Sequence, residues 1–311
     1  MRIRATVAAV TGALALSALA VPAAHAVGGS SYDRDAVVKA AQAAHRAAAG
    51  KSAFSTAGAQ DTGVPYALDL SFSNVKINSG KPIVVGTTNK VRVPVSYTVT
   101  HAADIDLNAS DFVLDVEIYR GSYTDPKNIL IGDDWPTCVD SSATKATCKG
   151  TIDVYPDFEL TNADATSWKA IGYALDFNDQ DPTSDDIDLS KVGYAEQDAL
   201  ATTKLQRYSK LTVDASPEPV KKGKTLTVTG KLSRASWDDG KYHGYAGQSV
   251  KLQFRKKSSS TYTTLKTIKT NSTGNLKTTT KATVDGYYRY SFAGTSTTPA
   301  VNAAGDFVDV K

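Results

Sequence analysis

The sequence is poorest in the residues that do chemistry. Its 311 residues include only four histidines and two cysteines, and one of those histidines, His25, falls in an N-terminal leader. The other three, His45, His101 and His243, lie in well-separated segments: an Ala-rich stretch, a loop after a strand and an aromatic loop. A Ser or Cys nucleophile needs a base beside it, and a zinc enzyme usually needs two histidines on close ridges. Neither pattern is present. There is no Gly-x-Ser-x-Gly elbow, no phosphate-cradling glycine loop and no His-Glu-x-x-His. A carboxylate pair for glycoside hydrolysis is harder to exclude in an Asp-rich chain, but that chemistry needs a deep cleft. The chain is read as a non-enzyme with no required cofactor, a hydrolase using carboxylates being the least favoured reading.

Helical periodicity is also scarce. No ten-residue helical pattern separates the apolar runs, which excludes a parallel sheet built from strand–helix–strand units. The one long apolar run is at the start: Met1 to Arg4 is basic, Ala5 to Ala20 is small and apolar, and Ala24-His25-Ala26 offers the small residues that a signal peptidase reads. Residues 1–26 are therefore expected to be a signal peptide, with no membrane span in the mature chain. No cysteine near the cleavage site invites a lipid, and Phe307 to Lys311 carries neither a sorting motif nor an apolar tail. The expected destination is extracellular, as an untethered monomer with no intracellular nucleic-acid partner.

Residues 27–60 are Ala, Gly and Ser with few bulky side chains. Asp33 to Ala49 contains eight alanines and has helix propensity, but Val37 and Val38 are its only large aliphatics. This segment is expected to be a flexible stalk with a marginal helix, left on the surface because it has little area to bury.

What the chain has in abundance is alternation. Leu68, Leu70 and Phe72 share one strand face; so do Val91, Val93, Val95, Tyr97 and Val99; so do Phe112, Leu114, Val116 and Ile118. Ile152 and Val154, then Ile171, Tyr173, Leu175 and Phe177, supply two more. Period two with one wet face indicates half-buried antiparallel strands. Pro94, which cannot donate to a ladder, argues that the second of these strands is at an edge or bulged. The pattern is clearest from Gly247 to Gly294, where Val250, Leu252 and Phe254 alternate with Lys251, Gln253 and Arg255, and Tyr288, Tyr290 and Phe292 with Arg289 and Ser291. Asn271 to Gly274 and Asp285-Gly286 provide turn residues. The fold class is all-β: two immunoglobulin-like antiparallel β-sandwiches, at residues 61–206 and 207–311, following the signal peptide and stalk.

Charge divides the same way. Residues 61–208 hold 12 Lys and Arg against 23 Asp and Glu, whereas 209–311 hold 17 against 7, so a net charge of +3 conceals an acidic and a basic half. In the second half the segments TLTVTGKL, GQSVKLQFRKK, the TxxTG turn at Thr270 to Gly274, and DGYYRYSFAG resemble the bacterial Ig-like modules found at the C-termini of many exported actinobacterial proteins. The resemblance spans residues 209–311 and implies a fold and an extracellular setting, with no functional residue to carry over.

Three groups of residues are candidates for special roles. Cys138 and Cys148, separated by nine intervening residues in an oxidising compartment, are best read as a disulfide across the mouth of a hairpin, worth roughly 2–3 kcal/mol; two buried free thiols are the alternative. Asp179, Asp181, Asp185, Asp186 and Asp188 crowd one loop at the oxygen density that calcium requires. They lack the glycine and glutamate of an EF-hand, so a solvated acidic loop competes with a calcium site. Trp237, Tyr242 and Tyr245, expected in a loop, offer rings for sugar stacking or for capping the sandwich end. Arg255, Lys256 and Lys257 belong to a basic face that would attract polyanions. The leading expectation is a secreted non-enzymatic binding or structural protein associating with cell-wall or other extracellular polymers, polyanion or glycan. The alternative is a calcium-dependent adhesion or ligand-binding protein acting through the acidic domain.

Overall fold

The computed structural model describes residues 32–49, 63–184 and 186–311. The expected signal peptide lies outside the described residues, as does part of the expected stalk. Among the described residues no helix is long and apolar enough to cross a membrane.

The chain is mostly strand. One helix, α1 (Arg34–Ala48), precedes β1 (Tyr66–Ala67), β2 (Leu70–Ile77), β3 (Ile83–Val85), β4 (Val91–His101), β5 (Phe112–Ser122), β6 (Asp125–Leu130), β7 (Thr137–Ser142), β8 (Lys145–Val154), β9 (Ser167–Asp176) and β10 (Gly193–Arg207). These make one sheet in the order β1-β10-β9-β5-β6, with β3 also on β10, and a second in the order β2-β4-β8-β7. All pairs are antiparallel except the two short strands β1 and β3, which run parallel to β10. The sheets face each other across a core in which Val93, Val95, Tyr97 and Val99 meet Leu114, Val116 and Ile118, as the alternation requires.

The second sandwich follows as β11 (Ser209–Leu211), β12 (Asp214–Ser216), β13 (Thr225–Ser236), β14 (Lys241–Gly244), β15 (Ser249–Lys256), β16 (Thr263–Lys269), β17 (Asn275–Lys281), β18 (Gly286–Phe292), β19 (Val301–Asn302) and β20 (Asp306–Val308). One sheet centres on β13, flanked by β11, β12, β14 and β17; the other runs β16-β15-β18-β19, with β20 also on β18. Leu226, Val228 and Leu232 face Val250, Leu252 and Tyr290 in its core. The protein is thus all-β, built of antiparallel sandwiches of the immunoglobulin-like kind.

Several local expectations need correction. Arg34–Ala48 is not a free stalk. Asp33 caps the helix by accepting from the Ala36 N–H, and Val37, Ala41 and Ala44 are fully buried against Tyr173, Leu175 and Phe177. The helix brings little area of its own, but its small side chains let it lie close to large rings supplied by the sheet. For the same reason Ile171, Tyr173, Leu175 and Phe177 do not point between the sheets. They line the outer face, Tyr173, Leu175 and Phe177 under α1 and Ile171 beside Tyr119 and Tyr123, while Trp168, Ala170 and Ala174 fill the interior.

Pro94 does not mark an edge strand, since β4 is paired on both sides. It lies one residue past the last β2 partner, Val95 opposite Ile77, where one flank of the strand has no ladder to complete. Gly286 is required by crowding rather than by a turn: a Cβ there would lie 2.3 Å from the Arg255 carbonyl. The Asn271 turn behaves as expected, its side-chain oxygen accepting from the Thr273 and Asn275 N–H groups.

Cys138 and Cys148 sit opposite each other on β7 and β8 and form a disulfide. Replacing both by Ala is predicted to lower the free energy of unfolding by about 2–3 kcal/mol, read from urea titrations. The sandwiches meet at Trp237, which is buried in the core of the first although it belongs to the second; its Nε1 donates to the Gly86 carbonyl at 2.7 Å. Trp237→Ala should cost about 3 kcal/mol and Trp237→Phe about 1 kcal/mol in the same measurement.

Candidate functional site

The residues singled out in the sequence scatter into three environments. Two carboxylates of the acidic loop are occupied locally. Asp181 accepts from the Thr183 N–H and hydroxyl, and Asp188 accepts from those of Ser190 while lying 3.4 Å from Lys191 Nζ. Those bonds hold both groups below the usual carboxylate range, Asp181 chiefly through Thr183 and Asp188 chiefly through Ser190. Asp179 and Asp186 are exposed, and Asp185 lies outside the described residues. Among the described residues no group of three or more His, Cys, Asp or Glu side chains is placed to hold a metal ion. The three histidines have separate neighbours: Glu196 for His45, the Ala102 carbonyl for His101 and Asp239 for His243. His101 ends strand β4 rather than sitting in a loop.

The aromatic segment is a hairpin rather than a loop, because β13 continues to Ser236 and pairs with β14. Its three rings do not form one platform. Trp237 is the buried plug described above and is closed to ligand. Tyr242 meets Tyr208 edge-on at 6.4 Å, with Lys210 Nζ 3.6 Å over its ring. Tyr245 packs edge-on against Phe292 and carries the Arg234 guanidinium at 3.9 Å.

Arg255 and Lys257, by contrast, belong to an ordered surface. On the outer face of the β15–β18 sheet, Arg255 pairs in register with Tyr287 and Gln253 with Arg289. The Arg255 guanidinium lies 3.8 Å over the Tyr287 ring and 5.4 Å from Tyr262. Arg289 lies 3.8 Å over the same Tyr262 ring. Tyr287 in turn meets Phe307 at 5.2 Å, and Lys257 Nζ stands 5.3 Å over Phe307. The order across the face is Arg289, Tyr262, Arg255, Tyr287, Phe307, Lys257: cation and ring interleaved, most of them half-buried.

Sheet pairing explains how residues so far apart in sequence assemble there. β15 and β18 supply Arg255, Tyr287 and Arg289, β20 brings Phe307 alongside Tyr287, and the turn before β16 lays Tyr262 across Gly305. Any side chain at 305 would collide with that ring, since a Cβ would lie 2.3 Å from the Tyr262 hydroxyl. Each guanidinium is also tethered: Arg289 Nε donates to Gln253 and Arg255 Nη1 to the Ser259 carbonyl, both at 2.9 Å.

No carboxylate faces outward from β15 or β18 on this side. Of the nearby acids, Asp285 accepts from the Val310 N–H and Asp306 from the Ala215 N–H, while Asp309, beyond Phe307, lies 3.8 Å from Lys311 Nζ. A guanidinium stacked on a ring keeps its remaining N–H groups in a fixed plane, ready for a bidentate oxyanion. The exposed parts of the rings suit the apolar face of a sugar. Tyr262, Tyr287, Arg289 and Phe307 escaped the sequence reading. The signal was present in part, since the outward positions of the DGYYRYSF strand are Tyr287 and Arg289.

No protein-family profile matches this chain, and no curated protein sequence does. Among solved structures, the D00-D0 domain of intimin aligns at 14% identity over 77% of this chain and 98% of that one, with a TM-score of 0.24. The Yersinia pseudotuberculosis adhesin InvE aligns at 9% identity over 77% of this chain and 58% of its own, at 0.23. Three titin domains, A168–A170, align at 8% identity over 80% of this chain and 68% of theirs, at 0.21. Likeness at this level carries no functional meaning.

Because the ladder lies on the surface, its members should be dispensable for folding. Tyr262→Ala is predicted to cost about 1 kcal/mol in thermal unfolding, leaving the variant folded and usable for binding work.

Proposed function

We propose that this is a secreted, non-enzymatic binding protein that attaches, as a monomer, to anionic polymers outside the cell, in the first place those of the cell wall. The observation that carries the reading is the interleaved ladder on the second sandwich. It is an array of tethered guanidinium groups and an ammonium group set among aromatic rings, with no carboxylate on β15 or β18 to neutralise it. Such a face suits a polymer that presents negative charge and sugar-like apolar surface together. The acidic first sandwich would be repelled from the same polymer, so the basic domain attaches and the acidic one projects outward. The leader at residues 1–26 supplies the route to that location.

Charge-driven attachment weakens with salt, because the screening length shrinks from about 10 Å at 0.1 M to about 3 Å at 1 M. In a pull-down with purified cell wall over a sodium chloride series, the bound fraction should fall steadily. The Arg255→Ala/Arg289→Ala variant should bind about tenfold more weakly at low salt, a loss of about 1.4 kcal/mol. Binding that is absent, or indifferent to salt and to the double substitution, rejects the reading.

A further inference from the structure

Helix α1 is fastened to the first sandwich by a seam with two different halves. One half is ordinary core, Val37, Ala41 and Ala44 against Leu175 and Phe177. The other is polar and buried. Arg34, in the first turn, ion-pairs with Asp115 of β5 and stacks on Trp135 at 4.1 Å. His45, in the last turn, places Nδ1 2.7 Å from a Glu196 oxygen of β10, and its ring meets Tyr123 edge-on at 5.1 Å.

Beneath these clamps lies Glu117 of β5, 0% exposed. Neither of its carboxyl oxygens has a geometrically sound hydrogen bond, and the hydroxyls of Tyr123 and Tyr173, His45 Nε2, and Arg34 Nε and Nη1 are likewise without one. Other charged or titratable groups face the seam from every side. β5 contributes Asp115 and Tyr119; β9 contributes Tyr173, with Lys169 over the Tyr119 ring. β10 contributes Tyr194, which donates to Glu196, and Asp198, which accepts from Tyr119. Tyr97 of β4 lies within electrostatic reach of Asp115 and Arg34. Four carboxyl groups therefore share one guanidinium, one imidazole and one peripheral ammonium.

We infer that α1 is a proton-linked latch, closed over the outer face of the first sheet in acid and progressively released as the solution becomes alkaline. The geometry supports it: closing the helix buries Glu117 completely with no ion pair and no well-formed hydrogen bond of its own, the Tyr123 hydroxyl and the Arg34 charge offsetting that burial only in part, so closure favours its neutral form. Desolvation, reinforced by the Asp115 charge, pushes the Glu117 pKa up to about 8 with α1 in place. With the helix lifted, the side chain meets water and returns to about 4.3. A carboxyl group whose pKa is raised on closure leaves closure uncompromised below the open-state value. It opposes closure increasingly as pH rises between the two values, and adds nothing further above the higher one. Between about pH 5.5 and 8.5 the closing equilibrium should fall on the order of a hundredfold.

Hydrogen exchange of the full chain across that pH range, corrected for intrinsic rates, reads the latch directly. Protection of the α1 amides should drop on the order of a hundredfold while that of β4 and β8 holds. Glu117→Gln, which has no charge to uncover, should flatten the α1 profile. Arg34→Ala, which removes a clamp, should lower α1 protection at every pH while keeping the slope. If α1 protection shows no pH dependence, or falls only together with β4 and β8, the latch is wrong. Should Glu117→Gln fail to fold, the wild-type profile and Arg34→Ala decide the matter alone.

Discussion

Everything about this molecule as a two-part object depends on the chain crossing between sandwiches almost without a linker. A single residue, Tyr208, separates β10 from β11. Its N–H donates to Val85 in the first sandwich, and its carbonyl accepts from Ala235 in the second, both at 2.8 Å. Around that pivot Arg207 Nε donates to the Ala235 carbonyl at 2.6 Å, and Asn162 donates to Asp238. Trp237 closes the seam from the other side. With backbone groups on both sides of the pivot satisfied by opposite sandwiches, rotation at the junction would break several buried hydrogen bonds at once. The two bodies are held as a stiff pair.

The first sheet shows a second constraint. Most antiparallel sheets leave one face wet, but here both faces are covered, the inner by the partner sheet and the outer by α1. A sheet covered twice over must bury whatever its outward positions carry, and on β5 these include Asp115 and Glu117. The helix brings an arginine that pairs with Asp115, and Glu117 is left with no ion pair of its own. On the latch proposal, this face is the place where the first sandwich opens without unfolding.

The readable parts of this sequence were those in which neighbours in sequence are neighbours in space. Val93, Val95, Tyr97 and Val99 declare a strand by period two, Asn271 to Gly274 declares a turn, and Cys138 and Cys148 pair because a hairpin brings them face to face. The ladder could not be read because Tyr262, Arg289 and Phe307 reach Arg255 only through sheet pairing and a turn. The fate of Trp237 was equally hidden, since its pocket is formed by the other sandwich. The docking of α1 was missed for a physical reason: the area it buries belongs mainly to Tyr173, Leu175 and Phe177, whose own alternation looks the same whichever face they occupy.

The central claim is that an ordered cation–aromatic face on the second sandwich receives an anionic polymer. The side-chain Nε–H resonances of arginine report that contact residue by residue. On titration with an anionic cell-wall polymer at low salt, the signals of Arg255 and Arg289 should move together and saturate, while those of Arg34, Arg92 and Arg120 on the first sandwich stay still. Shifts confined to the first sandwich, or spread evenly over all the arginines, would contradict the account.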